Sequence, residues 1–183
     1  MATARSGAEV HARLASQYEV EPPPPTVGPA PPSPYVTIVE EGLGAAEREV
    51  LYAVHAALDR YEPIRASGSR LELRLRNGAV VVSGRVRSLP LKALTERLAG
   101  AAAQGRRLVS ELIADPELVT AVATALALDP RTNLCPVFVE ASLGIVRLSG
   151  PVPTAAMAAA AEEIARGVPG VAEVRNELVP AEA

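Results

Sequence analysis

Residues 71–86 read LELRLRNGAVVVSGRV, and this stretch decides the fold. Leu71, Leu73 and Leu75 alternate with Glu72, Arg74 and Arg76, the period-two pattern of a strand with one buried face. Asn77-Gly78 follows, the dipeptide that suits both left-handed positions of a two-residue hairpin turn. Val80, Val82 and Val86 then share one face of the return strand. Upstream, Val50, Leu51, Val54, Leu58 and Tyr61 fall on one helical stripe, so residues 45–61 are expected to be a helix. Downstream, Ser88 is placed to cap a helix over about 89–103, with Leu91, Leu94 and Leu98 inward. LVSELI then makes a third strand, and the order is α-β-β-α-β.

The same order recurs. Asp115-Pro116 reads as an N-cap followed by proline in the first turn, and Val119, Val122 and Leu126 continue that helix. Val137, Val139 and Ala141 form one strand face and Val146, Leu148 and Val152 the next. Thr154 caps a helix over 155–166, and VAEVRNELV closes the unit. Written without a gap, residues 78–113 and 144–179 agree at ten of 36 positions, among them Gly78/Gly144, Ser83/Ser149, Gly84/Gly150 and Glu96/Glu162. The helix segments YAVHAAL and TAVATAL align after a shift of two residues. Matches on turn glycines and inward apolar positions point to duplication. The expected fold is therefore α+β: two αββαβ modules, at 44–113 and 114–180, each a three-stranded sheet packed on two helices. Residues 1–43 are expected to be a disordered, proline-rich arm: residues 22–34, PPPPTVGPAPPSP, hold eight of the 17 prolines and suit a semi-rigid spacer, and residues 8–18 suit at most a short helix.

The pattern G-x-V-x-L-S-G-x-V, a helix, then V-x-G-V-x-x-V-x-N-x-L resembles the BON domain (bacterial OsmY and nodulation). It stands here as Gly144, Val146, Leu148, Ser149, Gly150 and Val152, then Val168, Gly170, Val171, Val174, Asn176 and Leu178. The first copy keeps Gly78, Val80, Val82, Ser83, Gly84 and Val86. It departs where Gln104 and Gly105 replace Gly170 and Val171, and where Ser110 replaces Asn176. The resemblance implies a small, non-enzymatic tandem protein. It further implies attachment to phospholipid surfaces or envelope partners, in a setting such as envelope stress. The recurring glycines carry structural expectations: Gly78 a positive φ, and Gly84 and Gly150 a bulge or the close approach of another backbone, expected to be the packed helix.

The chemistry-bearing residues assemble into no catalytic set. His55 lies beside the apolar stripe with no nucleophile near it in sequence and is expected to be a packing residue. Cys135 is the only cysteine and is expected to be a buried, inert thiol. With two histidines and one cysteine, no multi-His or Cys-based metal site is expected, and no cofactor. Glu162 and Glu163 are helix neighbours that point apart. The start, MATARSGAEVHARLASQYEVEPPPP, has no apolar leader. A chain beginning here is expected in the cytoplasm, and in the periplasm or envelope if the true start lies upstream.

Charge is where the sequence points to a partner. Residues 60–110 hold eleven basic groups (Arg60, Arg65, Arg70, Arg74, Arg76, Arg85, Arg87, Lys92, Arg97, Arg106 and Arg107) against three acids, while residues 111–183 hold ten acids against four arginines. Strand parity puts Arg70, Arg74, Arg76, Arg85 and Arg87 on the outer face of the front hairpin. The matching positions of the second copy are Pro136, Glu140, Ser142, Pro151 and Pro153, none of them basic. The expected partner is an anionic phospholipid surface, or an envelope protein, contacted through those five arginines. The alternatives are that this face docks on the acidic second module, or that the chain is a protein–protein scaffold that forms homo-oligomers. Nucleic acid is disfavoured: aromatic residues are 3% of the chain, and the acidic half repels phosphate.

Overall fold

A computed structural model describes residues 33–181 of the chain. Its order is β1 (Val36–Ile38), α1 (Ala45–Asp59), α2 (Glu62–Ala66), β2 (Arg70–Arg76), β3 (Ala79–Val86), α3 (Leu89–Ala102), β4 (Leu108–Ala114), α4 (Asp115–Leu128), β5 (Phe138–Ser142), β6 (Ile145–Val152), α5 (Ala155–Arg166) and β7 (Glu173–Pro180). Two sheets form, β1-β2-β3-β4 and β5-β6-β7, so the chain is two α+β modules, here called front and rear. In each, a hairpin is antiparallel and the last strand returns parallel to its middle strand, β4 on β3 and β7 on β6. Most of the stretch read as a proline-rich arm, and its short helix, lies outside the described residues.

The front sheet has four strands, not the expected three. β1 comes from residues assigned to the arm and pairs in parallel with β2, Val36 opposite Leu71 and Ile38 opposite Leu73. Three residues are too short to announce a strand by alternation. What holds this one is tertiary: Val36 is 1% exposed against the helices, and the His55 Nε2–H donates to Val36 O at 3.1 Å. His55 is thus more than a packing residue, because it ties β1 to α1.

That bond makes Nε2 the proton-bearing nitrogen of His55 and leaves Nδ1 buried with no partner among the described residues. Burial lowers the imidazole pKa below a histidine's ordinary value; the nearby Asp59 and the Val36 carbonyl oppose this without reversing it. The neutral form is therefore favoured by folding. Its contribution is complete above the unfolded value, about pH 6.5, and is lost as pH falls from there through the folded value. The melting temperature is expected to drop between pH 7.5 and 5.5, above the carboxylate range. His55→Gln, which keeps a donor for Val36, should flatten that part of the profile. An unchanged profile in the variant would assign the drop to another group.

The inner faces follow the alternation. Leu71, Leu73, Val80, Val82 and Val86 pack on Val50, Leu51, Val54 and Leu58 of α1 and on Leu98, Ala99 and Ala102 of α3. Tyr61, read as the end of the first helical stripe, lies beyond α1 and precedes α2. In the rear module Val146, Leu148, Val152 and Leu178 meet Ala158, Ala161 and Ala165 of α5 and Leu118, Val122 and Leu126 of α4. The buried stripe of α4 is led by Leu118 rather than the expected Val119, because positions spaced by four line up along the helix. Ser88 and Thr154 cap as read, accepting from Leu91 N and Met157 N. Asp115 does not cap: Ala114 holds that position, and Glu117 Oε2 accepts from Ala114 N at 2.8 Å. The Asp115 carboxylate instead accepts from Leu143 N in the β5–β6 turn at 2.7 Å.

One helix–strand tie occurs in both modules. Asn176 Nδ2 donates to Glu162 Oε2 at 2.9 Å and to Ala158 O at 3.0 Å, while its Oδ1 accepts from Leu178 N. In the front module Ser110 Oγ donates to Glu96 Oε1 at 2.6 Å and accepts from Leu112 N. The shorter side chain keeps two of the three contacts. Gly84 and Gly150 do mark a close backbone approach, but the neighbour is the paired strand and not the helix. A Cβ at Gly84 would collide with the Arg70 carbonyl oxygen, and one at Gly150 would meet the Pro136 carbonyl oxygen at 2.8 Å.

Candidate functional site

The candidate site is the outer face of the front sheet, which pairing lays out as cross-strand rows. Arg76 lies opposite Ala79; Arg74, Val81 and Val109 form the next row; then Glu72, Ser83 and Glu111; then Arg70, Arg85 and Ile113. The five expected arginines therefore do not form one open patch. Arg74 and Arg76 stand toward the hairpin turn, Arg70 and Arg85 at the far end, and Arg87 beyond the strand.

At the turn end, Glu111 of β4 gathers two of them. Arg74 Nη2 donates to Glu111 Oε2 at 2.5 Å and Arg76 Nη2 to Oε1 at 2.9 Å, and Arg74 also lies 3.6 Å from Glu72. The Arg74 hydrogen bond, ahead of the charges of both arginines, holds the Glu111 carboxyl below its ordinary range. Arg74 Nε is buried with no partner among the described residues. Sequence reasoning missed Glu111 because the edge of the hairpin on which β4 pairs is a property of the assembled sheet.

At the far end, arginines join the modules. Arg85 Nε donates to Gly170 O at 2.8 Å, across to the loop before β7. Arg87 Nε donates to Ser67 O and its Nη1 to Ser142 Oγ of β5. Beside them Ile113 packs into the rear core, and Lys92 of α3 pairs with Glu117 of α4 at 2.8 Å. Gly144 and Gly170, read as repeat glycines, both stand at this joint. A Cβ at Gly144 would run into the Arg85 side chain, and one at Gly170 would meet Ile113 Cδ1 at 2.6 Å. β4 ends at Ala114 and α4 starts at Asp115, so no linker separates the modules. Only Arg70 of the five has no side-chain hydrogen bond or ion pair among the described residues.

The charge asymmetry persists in the pairing. All four rear arginines reach carboxylates: Arg131 pairs with Asp129 and Glu163, Arg147 with Glu140 and Glu177, Arg166 with Glu162, and Arg175 with Glu173. Of the eleven basic groups in residues 60–110, only Arg74, Arg76 and Lys92 do so among the described residues. Arg60, Arg65, Arg70, Arg85, Arg87, Arg97, Arg106 and Arg107 have no carboxylate within 4.0 Å there.

Arg106 and Arg107 were in the charge count but not among the expected site residues, because strand parity does not reach into a turn. They follow the Gln104-Gly105 turn, whose two residues have φ of 52° and 79°, and lie beside Asn77-Gly78, with 52° and 76°. Arg106 Nη1 reaches Gly78 O at 3.4 Å, linking the two turns. A groove of about 420 Å³ opens there, lined by Arg76, Ala79, Val81, Arg107 and Val109 with the turn backbone. Cys135 is half-buried, its Sγ 3.7 Å from Met157 Sδ. Among the described residues no group of three or more His, Cys, Asp or Glu is placed to hold a metal ion, and no helix is long and apolar enough to cross a membrane.

Comparison with known proteins bears on the rear module first. Residues 114–181 match the BON domain. No curated protein matches the chain. Among solved structures, the chain is similar to CdsD, described as a structural protein of the type III secretion system of Chlamydia trachomatis. The identity is 20% and the TM-score 0.55, over 73% of this chain and 63% of that one. A second structure, the C-terminal domain of CdsD, is similar at 16% identity and a TM-score of 0.50, over 79% of this chain and 82% of that one. At these identities the likeness is one of fold, and this chain spans less than two thirds of the first structure. The family finding is thus confined to the rear module: the chain carries a BON domain at residues 114–181.

Proposed function

We propose that the chain is a non-catalytic binding protein that attaches to anionic phospholipid surfaces through its front module, which we read as a second, diverged BON-like unit. One observation carries this. The rear module pairs each of its arginines with a carboxylate, whereas eight of the eleven basic groups in residues 60–110 of the front module have no carboxylate within 4.0 Å among the described residues. Uncompensated guanidinium groups are a standing attraction for an anionic layer, about 1 kcal/mol for each one near a charged membrane, and the attraction is screened by salt. The contact shifts from the five hairpin arginines to those that neither pair with a carboxylate nor support the joint. Arg70 and the turn residues Arg106 and Arg107 remain available, while Arg85 and Arg87 support the joint.

Co-sedimentation with vesicles tests this. Binding to phosphatidylglycerol vesicles is expected to exceed binding to phosphatidylcholine vesicles and to fall between 50 and 500 mM salt, on the order of a screened charge effect. The double variant Arg70→Ser/Arg106→Ser is expected to lose on the order of 10- to 30-fold in partition at low salt, from two charges at about 1 kcal/mol each. Equal binding to both lipids would refute the reading.

The linker-free joint favours a second reading, a protein–protein scaffold that presents two sheets from one body. A salt-sensitive dimer in sedimentation, without vesicle binding, would select it.

A further inference from the structure

We infer that the groove at the turn end of the front sheet is a binding site for a single anionic amphiphile, with a phosphate head between Arg76 and Arg107 and an apolar portion along Ala79 and Val109. The inference deepens the phospholipid reading above and rests on it for the class of ligand.

The geometry comes from the pairing. Arg76 is opposite Ala79, and Val80 N donates to Arg107 O at 2.9 Å, which sets Arg107 beside Ala79 on the other strand. Two arginines thus flank one alanine across three strands, roughly 10 Å apart at the backbone. Ala79, itself only 9% exposed, is the smallest side chain that still belongs to the strand face, and it forms the floor of the groove between them. Beside it the partly exposed Val109 supplies the apolar wall, while Val81, fully buried, lies beneath and supports it. A volume of about 420 Å³ lies in the range of small-molecule sites, typically ~300–1,000 Å³.

The rim is basic and braced. Arg107 is exposed with no carboxylate within 4.0 Å among the described residues. Arg76 touches Glu111 through Nη2 and is otherwise 58% exposed, so part of its planar fork remains for a second acceptor. Arg106, on the carbonyl of Gly78, holds the two turns together. A site with a cationic rim and an apolar wall prefers a ligand that has both an anion and a hydrocarbon portion. Inorganic phosphate would meet the rim alone, and a zwitterionic lipid would carry its own cation to the arginines.

The rear module is a built-in comparison. The row equivalent to Arg76, Ala79 and Arg107 there is Ser142, Ile145 and Glu173, and the row behind holds Glu140, Arg147 and Arg175 in place of Arg74, Val81 and Val109. Ile145 fills the gap, Glu173 reverses a charge and Arg147 removes the apolar wall. The same scaffold therefore carries other residues at these positions, so the lining of the groove is not dictated by the fold.

The test is a titration of the full chain, followed by backbone amide NMR, with dihexanoylphosphatidylglycerol below its micelle concentration. The expected result is saturable shifts at Ala79, Val81 and Val109. Ala79→Ile and Arg107→Glu, which import the rear residues, are each expected to weaken binding at least about tenfold. Arg107→Glu sits on an exposed turn and keeps the test valid should Ala79→Ile misfold. Shifts centred elsewhere, or full affinity in Arg107→Glu, would overturn the site. Equal affinity for inorganic phosphate would reduce it to an anion site, and equal affinity for dihexanoylphosphatidylcholine to an apolar one; either overturns the amphiphile. No saturable shifts at the groove, together with salt-sensitive vesicle binding that Arg70→Ser/Arg106→Ser weakens, would remove the groove and leave the surface reading. Short-chain lipid bound at the groove without vesicle binding would do the reverse.

Discussion

Replacing Gly84 by valine is expected to unfold the front sheet while the rear module stays folded. Gly84 has a φ of +137°, and any Cβ there would be driven into the Arg70 carbonyl oxygen on the paired strand. A clash with backbone can be relieved only by parting the strands, unlike one with the end of a flexible side chain. A non-glycine residue in that region of φ costs on the order of 1–3 kcal/mol before the clash is counted. The clash falls at the centre of the sheet, where Gly84 is paired with Leu71 on one side and Leu112 on the other. The total is a large part of the ~5–15 kcal/mol by which domains are usually stable. Gly78→Ala is the internal control: its φ of +76° is a turn conformation with open space around it, and it should cost only about 1 kcal/mol. Amide exchange resolved by residue checks both, because the rear strands report on their own module. Protection retained in β2–β4 of Gly84→Val would show that the strands can separate locally at small cost.

The second large effect is expected at Leu73. It is 0% exposed at the centre of β2 and packs within the cluster that joins β3, α1 and α3. Leu73→Ala should destabilise by about 2–5 kcal/mol, from lost transfer energy and a cavity that the surrounding leucines and valines cannot fully close. Leu75, two residues on, is partly buried and should cost less when cut to alanine. The check is denaturant unfolding followed by a probe in the front module. A shift in midpoint at constant slope would mark a change of stability. Equal losses at the two positions would contradict the burial gradient along β2.

These two positions also show what could be read in advance. The Leu71–Leu75 alternation, the Asn77-Gly78 turn and the valine face of β3 are local signals with a short period, and the hairpin formed as they indicate. Ser88 and Thr154 capped for the same reason, since a cap is decided within four residues. Asp115 carried an equally good local signal and was claimed by a distant partner, the amide of Leu143, so that Ala114 became the cap. β1 lacked the length for any pattern and exists because β2 offered an unpaired edge and α1 offered His55. For the candidate site, parity gave the alternation of the arginines with the buried leucines and valines but was silent on their partners. Glu111 and Gly170 lie 37 and 85 residues away from the arginines they engage, beyond the range of any local rule.

By itself, the order of residues determined the αββαβ order within both modules, though not β1 and α2 of the front one, together with their inward faces and the excess of positive charge in the first of them. These depend on periodicity, turn chemistry and composition, all of which act along the chain. Only the folded arrangement decided which guanidinium groups are neutralised, which hold the joint and which surround a groove, because pairing between charges depends on separation in space and falls off within a few ångströms. Ala79 is the clearest case: an unremarkable small residue in the linear text, it becomes the floor of the groove between Arg76 and Arg107 once three strands lie side by side.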